Sequence, residues 1–266
     1  DHARKTNTHL TLKRPFPEGF KFYQIEQLEE AMQGADVLVG GVSSFGVDWF
    51  ADKILPILDE SVPVISVTKG MLDYEDGTMQ TYPEYWMSKL PEGSKQEIYA
   101  IGGPCTARDL ADHDPSFVGY CGPKMETLHW IRSLFATDYY VVSLTLDVVG
   151  LECAVALKNG YALGTALAIG MAEKAGDDGI NHNNSEAALF QESVKEMLDL
   201  LKIVGGGVDN IMYAAGDLNV TVAAGRSRTV GLLLGKGLSI DEVMEQLKGQ
   251  TLEAVVIATR TARAVK

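Results

Sequence analysis

The residues most able to do chemistry here are lysines in unusual company. Lys158, in the run Leu157-Lys158-Asn159-Gly160, sits within a long, mostly apolar stretch rich in alanine and glycine. A lysine buried there costs free energy unless it finds a partner. Desolvation favours its neutral amine, a proton acceptor near neutral pH. The alternative is that its stem lies along the apolar surface and its ammonium reaches water. Lys69 follows the apolar run Pro63-Val64-Ile65-Ser66-Val67 and precedes Gly70, a place for a ligand-facing lysine or for a surface lysine in a strand-to-helix loop. Arg226 and Arg228 follow Ala223-Ala224-Gly225. A guanidinium beside the free amides of a helix start suits phosphate; two surface arginines are the alternative. Asp217, after Ala215-Gly216, is placed to hydrogen-bond a catalytic lysine or to cap the following turn.

The elements that would carry these residues fall into two textures. From Gln27 to about Leu144, short apolar runs alternate with helical ones. Strands are expected at Val37–Val42, Pro63–Val67, Glu97–Ile101, Phe117–Cys121 and Tyr139–Leu144, with helices at Gln27–Gln33, Val47–Leu58 and Lys124–Phe135. The strands are brief and apolar, as in a buried parallel sheet. Ser43 and Ser44 then fall at a strand's C-terminal end, where open α/β sheets bind ligands. From Asp147 to Lys174 the pattern is almost continuously helical. Gly150, Gly160, Gly164 and Gly170 within it imply close backbone packing. Further helices are expected at Ser185–Ile203, Thr229–Leu234, Ile240–Leu247 and Leu252–Val265, with Ser239 and Glu242 forming a capping box. The fold class is therefore α/β: a Rossmann-like parallel sheet domain over residues 1–146, then a helical substrate and catalytic domain over 147–266. Gly205-Gly206-Gly207 follows a helix and reads as a C-cap and linker rather than a nucleotide-binding turn.

Composition narrows the partners. A net charge of −13 over 266 residues leaves no surplus of Lys and Arg for nucleic acid, although a local anion site remains feasible. No apolar run reaches the roughly 20 residues of a membrane-spanning helix, so no transmembrane segment is expected. Cys105, Cys121 and Cys153 are widely spaced and odd in number, which suits a reducing compartment and core positions. His2, His9, His113, His129 and His182 make no metal-ligand spacing, and Asp177-Asp178-Gly179 lacks the recurring ligands of a calcium loop, so no metal is expected.

Read together, the segments Gly34-Ala35-Asp36 with its strand, Ser66-Val67-Thr68-Lys69-Gly70, Gly103-Pro104, Ala156-Leu157-Lys158-Asn159, Ala215-Gly216-Asp217 and Gly225-Arg226-Ser227-Arg228 occur in the order and spacing of NAD-dependent glycerol-3-phosphate dehydrogenases. The chain resembles that family from about Gln27 onward. The resemblance implies that Lys158 is the general acid/base, that Lys69 orients or polarises the reacting oxygen, and that Asp217 is their acidic partner. It puts Asn159, Thr221, Arg226 and Ser227 at substrate-binding positions, with Arg226 toward phosphate. Ser44, Ala107, Arg226 and Gln250 fall near the cofactor. NAD is the implied cofactor, glycerol 3-phosphate or dihydroxyacetone phosphate the substrate, and a cytoplasmic homodimer the implied assembly, with an organellar location also open. The resemblance further implies about 40 residues with a glycine-rich cofactor turn ahead of Asp1, and a helical portion beyond Lys266. Three departures stand out: Ser227 where the family commonly has Asn, Ser43 where a proline often follows the strand, and a different loop at Asp177–Glu186. Two alternatives follow: a dehydrogenase for another polyol phosphate or a 2-hydroxy acid, or a non-catalytic helical assembly module derived from the family.

Overall fold

A computed structural model of the chain describes residues 2–176 and 183–265. Asp177-Asp178-Gly179 and His182 lie outside the described residues. After a short helix α1 (His2–Thr6) and a 3-10 turn at Ile25–Gln27 leading into α2 (Leu28–Met32), the sheet half begins. Its strands are β1 (Leu38–Gly40), β2 (Val64–Ser66), β5 (Ile98–Gly102), β6 (Ser116–Cys121) and β7 (Tyr140–Thr145), side by side in that order. Between β2 and β5 the chain makes a small antiparallel hairpin, β3 (Met71–Asp73) with β4 (Met79–Thr81).

The five expected strands are present, but the sheet is mixed rather than parallel: β1, β2 and β5 run together, and β6 pairs antiparallel to β5 before β7 returns parallel to β6. Short apolar strands read alike in either direction, so periodicity alone does not report the reversal. Helix α3 stops at Lys53 (Val47–Lys53) and a separate 3-10 turn covers Leu55–Ile57, because Pro56 lacks the N–H an α-helix needs and clashes with the preceding turn. Two helices outside the sequence expectation, α4 (Tyr82–Lys89) and α5 (Ala107–Ala111), follow the hairpin and β5; α6 (Met125–Phe135) precedes β7. Thr81 and Glu84 cap α4 reciprocally. One face of the sheet packs Phe50, Ile54, Trp86 and Ile98 into a core, the Trp86 indole donating to the Val47 carbonyl at 3.0 Å.

The last strand ends at Thr145 and α7 (Val148–Lys174), 27 residues long, begins three residues later. Around it pack α8 (Asn183–Ile203), α9 (Ile211–Ala223), α10 (Arg226–Gly235) and α12 (Glu253–Ala264), with α11 (Ile240–Gln246) against α10. Asp147 starts α7 by accepting from the Gly150 amide at 2.8 Å. Its other oxygen accepts from the Gly207 amide at 2.6 Å and Asn210 Nδ2 at 2.7 Å. The glycine run is thus a linker folded back onto the head of α7, with Gly205 in the left-handed region at φ 79°. The core of this half includes Met71 from the hairpin together with Leu157, Leu218 and Ile257, so the two halves share apolar contacts.

Candidate active site

The long helix α7 brings Lys158 to its most buried side, with 10% of the side chain exposed. Helix α9 presents Asp217 and Thr221, one turn apart and therefore on the same face, opposite it. Lys158 Nζ donates to Asp217 Oδ1 at 2.9 Å and to Thr221 Oγ1 at 2.7 Å; the Thr221 hydroxyl in turn donates to the Asp217 carbonyl at 2.6 Å. The lysine is therefore held inside and does not reach out to water. Asp217 lies in the middle of α9, which corrects the alternative of a turn cap: its neighbours Ala215 and Gly216 are helical, and its carboxylate serves side chains from other elements.

Lys69 arrives from the opposite half. It follows β2 at the C-terminal end of the parallel strands, and its Nζ donates to Asp217 Oδ2 at 2.5 Å and to the Gly103 carbonyl at 3.1 Å. One buried carboxylate thus bridges two ammonium groups from two halves of the molecule. Burial pushes the Lys158 pKa below its ordinary value; Asp217 opposes that shift, and the positive charge of Lys69 adds to it. The arrangement can accept and return a proton at Lys158 while Lys69 supplies positive charge nearby.

A cavity of about 240 Å³ opens beside this network, lined by Lys69, Lys158, Asn159, Thr221, Arg226 and Ser227 among others. Helix α10 starts at Arg226, three residues before the sequence expectation, so the first amides of a ten-residue helix border the cavity. Ser227 is buried and its hydroxyl donates to Asn159 Oδ1 at 3.3 Å, which leaves the amide nitrogen of Asn159 free to donate elsewhere. The guanidinium of Arg226 is exposed, whereas that of Arg228 donates to the Val222 carbonyl at 2.8 Å and ties the end of α9 to α10. The two arginines therefore separate: Arg226 faces the cavity and Arg228 is structural.

Ser44 lies in an adjoining crevice with Lys69, Asn159 and Arg260, and its buried hydroxyl has no hydrogen-bond partner. Ala107 begins α5 just beyond the end of β5, and Gln250 lies in the loop before α12; both are exposed and neither lines the cavity, although Thr251 next to Gln250 does. The orphaned hydroxyl thus lies beside Lys69 at the strand ends.

A buried acid lies outside the residues singled out in the sequence. Glu152, on α7 and 1% exposed, has a carboxylate oxygen with no partner, and burial raises its pKa to about 8 against the attraction of Lys69. Its signal was present: like Lys158, it is a charged residue in an otherwise apolar helical run. The contact between Lys69 and the Gly103 carbonyl carried no such signal, because it is made by main chain.

Parallel strand ends opening onto a crevice roofed by helices, with a buried lysine–aspartate network inside, are the architecture of an enzyme with its site between an α/β half and a helical half. The particulars come from relatives. Residues 2–126 match the family model described as the NAD-dependent glycerol-3-phosphate dehydrogenase N-terminus, and residues 147–266 match that of the C-terminus. The NADP(+)-dependent glycerol-3-phosphate dehydrogenase of Archaeoglobus fulgidus is 32% identical over 232 residues, covering 86% of this chain and 68% of that protein. A glycerol-3-phosphate dehydrogenase [NAD(P)+] of Geobacter metallireducens is 30% identical over 256 residues, covering 92% and 71%; for the Syntrophobacter fumaroxidans relative the chain spans 63% of its length. The crystal structure of glycerol-3-phosphate dehydrogenase from Coxiella burnetii shares the fold at a TM-score of 0.77 and 23% identity, over 93% of this chain and 72% of that one. The chain belongs to the NAD-dependent glycerol-3-phosphate dehydrogenase family.

Proposed function

We propose that this protein interconverts sn-glycerol 3-phosphate and dihydroxyacetone phosphate with NAD(P), in a site built from Lys158, Lys69 and Asp217. The observation that carries the reading is the single Asp217 carboxylate joining a buried lysine of the helical half to a lysine at the strand ends. Bound NAD(P) supplies the centre that accepts or returns the hydride at C2 of the substrate. In oxidation, the neutral amine of Lys158 takes the C2 hydroxyl proton as the C–H electron pair leaves; in reduction its ammonium gives that proton back. Lys69 stabilises the negative charge developing on the oxygen, and Asp217 keeps both lysines in register. Asn159, Thr221 and Ser227 orient the substrate. Arg226 and the first amides of α10 hold its phosphate, and Arg226 also borders the cofactor. Ser44 faces the cofactor's reactive end, with Ala107 and Gln250 on the outer rim. The domain division falls between residues 146 and 147. We assign the protein to a cytoplasmic homodimer, a reading supported by family membership and by three cysteines with no disulfide.

The test is NADH or NADPH formation from glycerol 3-phosphate. Lys158→Ala should lower kcat by roughly 10²–10⁴-fold, the usual worth of a positioned acid/base. In the parent, the oxidative kcat/KM should rise with pH through a pKa below the ordinary lysine value. Unchanged turnover in Lys158→Ala would remove the assigned role. Glycerol in place of its phosphate should lose most of kcat/KM, and Arg226→Met should erase that preference. Equal turnover of an unphosphorylated 2-hydroxy acid would favour the other substrate class, and a parent unable to bind either nucleotide in calorimetry would favour a non-catalytic assembly module.

A further inference from the structure

We infer that Arg260 is a positioning residue for Lys69: from helix α12 its guanidinium grips the main chain just beyond that lysine and so aims the ammonium at Asp217. The inference rests on the role given to Lys69 above.

Lys69 is the third residue after β2 and the second before Met71, the first residue of the hairpin. On the strand side the loop is fastened by Thr68, whose hydroxyl donates to the Val42 carbonyl at 2.6 Å. On the hairpin side Arg260 Nη1 donates to the Met71 carbonyl, and to the Tyr82 hydroxyl at 3.3 Å, while its Nε lies 3.4 Å from one oxygen of Asp73. The other Asp73 oxygen takes Arg263 Nε at 2.9 Å. Asp73 is 14% exposed and Arg260 23%, so this pairing is not the freely solvated kind that contributes almost nothing. Gly70 completes the clamp. Its φ is 153°, and a Cβ there would stand 2.5 Å from the Tyr82 ring, so the chain passes directly against the ring that Arg260 also holds.

A lysine has a flexible four-carbon stem. Two contacts fix the Lys69 ammonium, to Asp217 and to the Gly103 carbonyl, and both depend on where its Cα stands. Removing the guanidinium frees the Met71 carbonyl and the hairpin to shift, and a displacement near 1 Å at a catalytic group costs up to about 10²-fold in rate. Arg260 shares the crevice with Lys69, Ser44 and Asn159. Its Nη1 and Nε are engaged by protein partners on the hairpin and on Tyr82.

Arg260→Met and Arg260→Lys in the full chain test this. Arg260→Met should lower kcat about tenfold and leave KM for glycerol 3-phosphate within about twofold, with Arg260→Lys recovering part of the loss. In a Lys69→Met background Arg260→Met should cost nothing more, because the two changes then remove one function. Independently of turnover, hydrogen exchange should accelerate at Gly70–Asp73 in Arg260→Met. The same loss with and without Lys69, or unchanged exchange at Gly70–Asp73, would overturn the inference. If Arg260→Met does not fold, Arg260→Gln replaces it in both measurements. A parent inactive on glycerol 3-phosphate would reject the functional reading alone, since the exchange result still decides whether Arg260 holds the loop.

Discussion

At the scale of single residues, two buried ionisable groups on one helix behave in opposite ways. Lys158 has a partner of opposite charge and two hydrogen bonds; Glu152 has an oxygen with none. Glu152 holds its proton to about pH 8 because burial penalises the carboxylate. In the unfolded chain it ionises in the usual carboxylate range, so between roughly pH 4.5 and 8 the folded state carries the extra proton. Stability from this group is fully present below that window and is lost as pH rises through it. Glu152→Gln, which matches the neutral acid in shape, should therefore gain on the parent as pH rises. Urea unfolding at pH 5 and pH 8.5 should show the difference between the two proteins growing by about 4 kcal/mol in favour of the variant. An equal difference at both pH values would mean that Glu152 ionises normally in the folded protein.

Helix packing decides which glycines matter. In sequence the four glycines of α7 are alike, each a mark of close approach. The structure divides them. A Cβ on Gly170 would meet the Leu232 carbonyl oxygen of α10 at 2.3 Å, whereas one on Gly164 meets nothing within 4 Å. From the other side, a Cβ on Gly231 would stand 2.3 Å from the Leu163 carbonyl oxygen. Helices α7 and α10 therefore touch backbone to backbone, and that contact seats Arg226 and Ser227 beside Lys158 and Asn159. Gly231→Ala should destabilise by about 1–3 kcal/mol through overpacking, while Gly164→Ala, on an exposed helical position, should stabilise by up to about 1 kcal/mol. Denaturant midpoints of the two variants should move in opposite directions; a shared direction would mean that helix propensity and not packing controls both sites.

Across the whole molecule the two halves are joined through Asp217, through Met71 buried in the helical core, through Ala100 and Cys121 packed against Leu151, and through Arg260 and Arg263 on the hairpin. All three tryptophans, Trp49, Trp86 and Trp130, belong to the sheet half, while most of the helical signal comes from the other. Tryptophan fluorescence and far-ultraviolet circular dichroism should therefore follow one urea transition with the same midpoint. Midpoints that separate would show that the halves unfold independently.

What the sequence determined by itself was whatever local pattern encodes. Strand and helix periods, the switch of texture near Asp147, the capping box at Ser239 and Glu242, and the anomaly of a lysine in an apolar helix all depend on neighbours within a few residues. The family resemblance then named Lys69 and Asp217 as the catalytic partners of Lys158, and Thr221 as a substrate-binding residue. Tertiary structure alone decided the rest, because those facts are relations between distant segments: the antiparallel entry of β6, the bridging of Lys69 and Lys158 by one carboxylate across 148 and 59 residues of chain, and the grip of Arg260 on a carbonyl 189 residues away. A strand carries no local mark of its direction, and a main-chain carbonyl is the same in every residue, so neither could be read until the chain was folded.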